Sequence, residues 1–129
     1  MKTNKVIVAL DSNNFRKTIN LVSTLKKEVY AFKIGYEFFY NYGIEGYKAI
    51  YKVSPKIFLD LKLHDIPNTV QNGIIAINNM KPLLTTIHIS GGEDMMNASL
   101  IKKKFTKVLG VSVLTSLNNN QVRKFYNEN

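Results

Sequence analysis

The sequence has 129 residues, 45% hydrophobic and 21% charged, an ordinary globular balance in a chain long enough to bury one core. It has no cysteine, which excludes disulfides and thiolate metal sites, and no apolar run near the roughly 18 residues of a membrane span. Its 18 basic and 9 acidic residues give a net charge of +9, but the bases are nearly all scattered lysines, without the arginine-rich run or aromatic–glycine pattern of an RNA-binding sheet.

From the N-terminus, residues 5–10 (KVIVAL) read as a first strand that ends at Asp11. The flanking MKTNKVIVALDSN lacks a long apolar region and a small-residue cleavage site, so no secretory leader is expected, and the absence of cysteine fits an expected cytoplasmic location without requiring it. Residues 14–28 show helical spacing through Phe15, Ile19, Val22 and Leu25, with Asp11, Ser12 or Asn13 available as cap. A second strand, 30–34 (YAFKI), precedes Gly35 and a helical stretch to about Lys52. Residues 56–62 (KIFLDLK) form a third strand, residues 65–68 a loop, and Thr69 to Met80 a helix. Residues 83–89 (LLTTIHI) form a fourth strand. Gly91-Gly92 open a helix that runs to about Lys104, where Lys102, Lys103 and Lys104 are expected to form a solvated face. Residues 107–114 (KVLGVSVL) form a fifth strand, and 118–127 a last short helix.

Five successive βα units in one domain, residues 1–129, argue for a parallel α/β sheet with right-handed crossovers. A spacing of roughly 25 residues per unit suits either a doubly wound sheet or part of a (β/α)8 barrel. The strands share a further property. Each starts apolar and turns polar at its carboxyl end, through Asp11, Lys33, Asp60 and Lys62, His88 and Ser90, and Ser112, Thr115 and Ser116. Ligands of parallel α/β proteins bind at that end.

The third strand is the most informative. Two-residue alternation puts Phe58, Asp60, Lys62 and His64 on one face and Leu59, Leu61 and Leu63 on the other. The leucines should pack under helices, and the charged face should line a barrel interior or cleft within reach of Lys33. An isolated buried charge costs several kcal/mol, whereas alternating acids and lysines compensate one another and hold their members rigidly. A structural ion-pair network is the alternative reading of the same residues. Convergence of several ionisable groups at the ligand-binding end of the sheet favours a site.

The motifs VALD (8–11), FKIGYEFF (32–39), FLDLKLHDIPNT (58–69), HISGGEDMM (88–96) and VLTS (113–116) resemble, in order and spacing, the bacterial orotidine 5'-phosphate decarboxylase family. The core Asp60-x-Lys62-x-x-Asp65 is shared with sugar-phosphate relatives such as the ketogulonate-phosphate decarboxylases, and the extension LKLHDIPNT is more specific to the orotidine enzyme. The resemblance implies a (β/α)8 barrel, a homodimer, and a reaction without cofactor or metal. It implies that Asp11 contacts the ribose, that Lys33, Asp60 and Lys62 form the charged array, and that Lys62 donates the proton. Asp65 would join the array of the neighbouring subunit, and Thr69 would contact substrate across the interface. Leu61, Leu63, His64, Ile66, Pro67 and Asn68 would complete the substrate-lining stretch, and Thr115 would lie near the pyrimidine or ribose. His64 is expected to be structural and His88 to orient neighbours by hydrogen bonding; two histidines without a third ligand make a poor metal site.

The sequence departs from the family at its carboxyl side. A family barrel has eight βα units, and about five are present. An arginine, a glutamine and a final glycine–arginine pair that grip the substrate phosphate after strands six to eight have no counterpart. The segment between Met96 and Val111 is also short, so a trimmed fourth helix is expected. Phosphate binding energy holds the reacting ring in place, so a C-terminally truncated member is expected to be inactive alone. Three readings follow: a decarboxylase completed by a second polypeptide in trans, a catalytically dead remnant, and, in a different class, a basic anion- or nucleic-acid-binding module. Nothing in the sequence demands the last, and no membrane partner is expected.

Overall fold

A computed structural model describes residues 5–100 and 105–126. Strands β1 (Ile7–Ala9), β2 (Ala31–Ile34), β3 (Ile57–Leu63), β4 (Leu84–His88) and β5 (Lys107–Val111) form one sheet in that order, every neighbouring pair parallel. Between and after them run α1 (Phe15–Leu25), α2 (Tyr36–Val53), α3 (Pro67–Met80), α4 (Glu93–Ala98) and α5 (Asn119–Tyr126). A doubly wound sheet reverses its strand order at a switch point. This sheet does not: each strand lies beside its sequence neighbour, as in a barrel wall.

Local chemistry sets the element ends. The N-cap of α1 is Asn14, not one of residues 11–13: its Oδ1 accepts from the Lys17 amide at 3.0 Å, while Ser12 accepts from the Asn14 amide at 3.1 Å. Asp11 faces Lys33 instead. Helix α2 is interrupted at Gly43 (φ 56°, ψ −151°), a conformation that favours glycine and that hydrophobic periodicity does not reveal. Helix α3 starts at Pro67 rather than Thr69, because proline has no N–H to leave unpaired in the first turn. Where the expected fourth helix opens, the described residues form a 3-10 turn, Ile89–Gly91, followed by the short α4, whose end is closed by the Ser99 amide donating to the Met95 and Met96 carbonyls. The lysine face expected at 102–104 lies outside the described residues. Strand β5 ends at Val111, three residues short of the expectation, where the chain leaves for the turn at Thr115 and Ser116.

The core lies under α1, α2 and α3. Phe32 and Ile34 of β2, Ile57 and Leu59 of β3, Val22 of α1, and Phe38 and Ile50 of α2 are fully buried in one cluster. Val70 and Ile74 of α3, Ile87 of β4 and Met95 of α4 make a second, and Leu63 packs against both. Leu61 joins the first cluster, so the leucine face of β3 does pack beneath helices. Phe38 is in ring contact with Phe15 and Tyr42 at 6.3 and 5.0 Å. Phe38→Ala is therefore expected to cost about 3–5 kcal/mol, read as a lower urea midpoint with an unchanged slope.

Candidate active site

The parallel register aligns Ala9, Lys33, Phe58, Leu84 and Lys107 across the sheet, so these side chains share the face turned away from the helical core. Two residues further on, at the carboxyl ends, that face carries Asp11, Gly35, Asp60 and Thr86. A Cβ at Gly35 would stand 3.3 Å from Asp11 Oδ1 and 3.8 Å from Lys33 Nζ, so the glycine leaves the space in which the two charges meet. Lys33 Nζ lies 3.8 Å from Asp11 Oδ2 and 3.7 Å from Asp60 Oδ2. Lys62 Nζ donates to both Asp60 oxygens at 2.9 Å. The result is a contiguous acid–base–acid–base row from β1 to β3.

Asp60 is the centre of the row, with 9% of its side chain exposed against 28% for Lys33 and 26% for Lys62. Burial on its own would push its carboxyl up. Hydrogen bonds from Lys62 and Thr86, and the charges of Lys62 and Lys33, outweigh burial and hold it below the ordinary carboxylate value. Lys62 reaches Asp60 from an irregular stretch of strand. Between Leu59 and Leu63 strand β3 advances four residues while β4 advances two, and Lys62 sits at φ 44°. A non-glycine residue there carries strain of about 1–3 kcal/mol. The shift is even, so Asp60 and Lys62 stay on the open face and the leucines stay on the core face. The Lys62 amide, left without a strand partner, donates to Thr86 Oγ1 at 2.9 Å, and Thr86 Oγ1 donates to Asp60 Oδ1 at 2.8 Å. Tyr36 donates to the Leu61 carbonyl at 3.1 Å, and Lys62 Nζ lies 5.9 Å from its ring centre.

His64 and His88 come together, with ring centroids 5.2 Å apart and planes at 41°. Among the described residues the His88 imidazole makes no hydrogen bond, and its contact is this ring face where an orienting bond was expected. Burial, then the facing His64 and Lys62, hold His88 below the ordinary imidazole value against the opposing pull of Asp60. Asp65 is exposed and accepts from the Ile66 amide at 2.7 Å; Ile66 precedes the first turn of α3, in which Pro67, Asn68 and Thr69 are all exposed. Thr115 is exposed in the turn after β5. Among the described residues Asp65, Thr69 and Thr115 make no ion pair or hydrogen bond with the array of their own chain, and no group of three or more histidines or acids is placed to hold a metal ion. A cavity of about 480 Å³ between Tyr47, Tyr51, Ile44 and Met80 lies at the opposite end of the sheet. Thr86 and Tyr36 are the members sequence reasoning missed. The signal for Thr86 was a polar pair, Thr85-Thr86, inside an apolar strand; Thr85 points to the core side and donates to the Leu59 carbonyl at 2.9 Å.

Singly wound parallel βα units with a charged row at the strand carboxyl ends define part of a (β/α)8-barrel protein, its ligand-binding end carrying the charge. The sequence profile described as "Orotidine 5'-phosphate decarboxylase / HUMPS family" matches residues 4–128. The chain is 42% identical over 126 residues to the orotidine 5'-phosphate decarboxylase of Ehrlichia chaffeensis and 43% identical over 118 residues to that of Wolbachia sp. subsp. Brugia malayi, covering 96% and 90% of this chain. It spans about half the length of these curated relatives, 54% and 52%. The crystal structure of orotidine 5'-phosphate decarboxylase from Lactobacillus acidophilus superposes with a TM-score of 0.80 at 36% identity, over 96% of this chain and 59% of that one. The chain belongs to the orotidine 5'-phosphate decarboxylase / HUMPS family, and its fold is a partial (β/α)8 barrel. No helix among the described residues is long and apolar enough to cross a membrane.

Two pH effects follow. The folded chain binds the Asp60 proton less readily than the unfolded chain, so the stability this group contributes is complete above its ordinary value of 3.8 and is lost as pH falls through the lower folded value. Asp60→Asn should cost about 1–3 kcal/mol at neutral pH, less than a fully buried pair because both lysines are partly solvated, and the gap to the unaltered chain should narrow below about pH 4 in urea titrations. His88, also depressed, exerts no such effect above its ordinary value of 6.5; below it the unfolded chain takes up the proton first and stability falls. His88→Gln should flatten that decline when stability is measured from about pH 7 to 5.

Proposed function

We propose that this chain, as a single domain in the cytoplasm, supplies the charged array of a decarboxylase that converts orotidine 5'-monophosphate to UMP and CO2. The observation that carries this reading is the contiguous row Asp11–Lys33–Asp60–Lys62 at the strand carboxyl ends. Loss of CO2 from C6 of the pyrimidine leaves the bond's electron pair on a carbon with little resonance help. A fixed ammonium at Lys62 stabilises that pair and then protonates C6, regaining its proton from water. Asp60 lies beside the substrate carboxylate and disfavours the ground state, while Lys33 and Asp11 hold the ribose side. The reaction so written needs no cofactor or metal, because charge and proton both come from the array. Leu61, Leu63 and His64 frame it, and Thr115 meets the ligand from the β5 turn. The exposure of Asp65, Ile66, Pro67, Asn68 and Thr69 on one loop and helix start supports their reaching the array of a second copy in a homodimer.

The open sheet favours a specific form of this reading. Strands β1 and β5 are both edges, and Ile7 and Leu109 on the array-bearing face are 38% and 41% exposed. Uncovered parallel strands with apolar side chains call for further strands against them. The 129 residues are therefore read as one part of an enzyme whose remaining strands, in the same chain or in a second one, cover these edges; a dead remnant is the competing outcome.

The test is decarboxylation of orotidine 5'-monophosphate by the purified chain, with and without the carboxyl-terminal half of a family barrel. Weak or absent turnover alone, rising on addition of that half and falling about 10³-fold in Lys62→Ala, is expected. A folded chain that stays inactive in the mixture is a remnant, and turnover unaffected by Lys62→Ala would sink the assignment.

A further inference from the structure

Asp60 and Lys62 belong to one strand, yet the group that joins them comes from the next. Thr86 is 3% exposed, on β4, and its hydroxyl touches both: it donates to Asp60 Oδ1 at 2.8 Å and accepts from the Lys62 amide at 2.9 Å. The direction of these bonds is forced. An ionised carboxylate can only accept and an amide N–H can only donate, so the single hydroxyl proton has one place to go. The pairing at this level is also the irregular one, where β3 gains two residues on β4 and Lys62 takes its positive φ. In a regular ladder the Lys62 amide, with the parity of Lys56, would point toward β2; here it is turned to β4 and donates to a side chain.

We propose that Thr86 is a positioning residue for the array, its hydroxyl clamping the Asp60 carboxylate to the Lys62 backbone across the irregular β3–β4 pairing. The clamp fixes the rotamer of the acid and the origin of the lysine side chain together, so the two charged ends meet at one geometry. With Oδ1 held by Thr86 and both oxygens by Lys62, the carboxylate cannot rotate toward Lys33, 3.7 Å from Oδ2. The neighbouring Thr85 serves as an internal contrast: equally buried, it faces the core side, bonds a carbonyl, and does not touch the array. This inference rests on the decarboxylase reading for its catalytic meaning but not for its structural content, and the first readout needs no turnover.

The experiment compares the unaltered chain with Thr86→Val, which keeps the shape and loses the hydroxyl, and Thr86→Ser, which keeps the hydroxyl. Carbon-13 NMR follows the Asp60 carboxyl through an acid titration, and amide exchange follows Lys62. In Thr86→Val the Asp60 midpoint should rise by about one pH unit, and protection of the Lys62 amide should fall about tenfold or more. Thr86→Ser should restore both, and Thr85→Val should move neither. An Asp60 midpoint unchanged in Thr86→Val, or not restored by serine, overturns the clamp. If Thr86→Val does not fold, the unaltered chain decides: a Lys62 amide exchanging at the rate of an unstructured peptide overturns it as well. In the completed enzyme Thr86→Val should lower kcat about 10-fold or more with KM changed much less, the pattern of a lost transition-state geometry. A normal titration shift without turnover in any form would leave the clamp standing and remove the decarboxylase reading.

Discussion

The carboxylate of Asp60 is the constraint on which the rest of the site depends. It is nearly excluded from solvent, and burial alone would drive it to the neutral form. It stays ionised because two lysines and a threonine hydroxyl converge on it from three successive strands. Each partner is fixed in turn. Lys33 stands between two acids in the gap left by Gly35, Lys62 starts from a strained backbone, and Thr86 is held on both sides of its hydroxyl. A network satisfied at every member is rigid, and rigidity is what electrostatic preorganisation requires.

The fold serves this arrangement through its parity. In a parallel sheet every second residue of each strand shares one face, so Lys33 at one level and Asp11 and Asp60 at the next, with Lys62 beyond them, meet in a continuous row. The opposite parity of the same strands carries Phe32, Ile34, Ile57, Leu59 and Ile87 into the core. The two-residue irregularity in β3 respects that division. A one-residue bulge would have put Lys62 among the helices and a leucine into the row. The strain at Lys62 is thus the local cost of bringing its ammonium onto Asp60 without exchanging the faces.

The same parity explains the uncovered surface. Ile7 and Leu109 project from the edge strands on the array-bearing face, and Asp11 at the β1 edge is half exposed. In a closed barrel those positions meet strands on the other side. Here the array has a floor and one wall. The apolar cavity by Tyr47 and Met80 belongs to the helical layer, between α2 and the end of α3, and carries none of the charged row.

Much of this was legible in the residues. Alternation within FLDLKL separated charge from core, β-branched runs marked the strands, and the polar strand ends marked the face that carries a ligand. These are nearest-neighbour properties, set by a backbone period of two and by what water and a core each accept. What the residues could not disclose was where chain segments far apart in sequence touch. Asn14 is the α1 cap, and Asp11 turns instead to Lys33, 22 positions on. Gly43 breaks a helix whose apolar spacing continues through it. Thr86 rather than Thr85 reaches Asp60 because Leu84 is registered with Phe58, and His64 meets His88 because of the later register shift, both visible only once two strands are side by side. Sequence order specifies which face a residue takes; the register between strands specifies whom it meets, and register is a property of the assembled sheet.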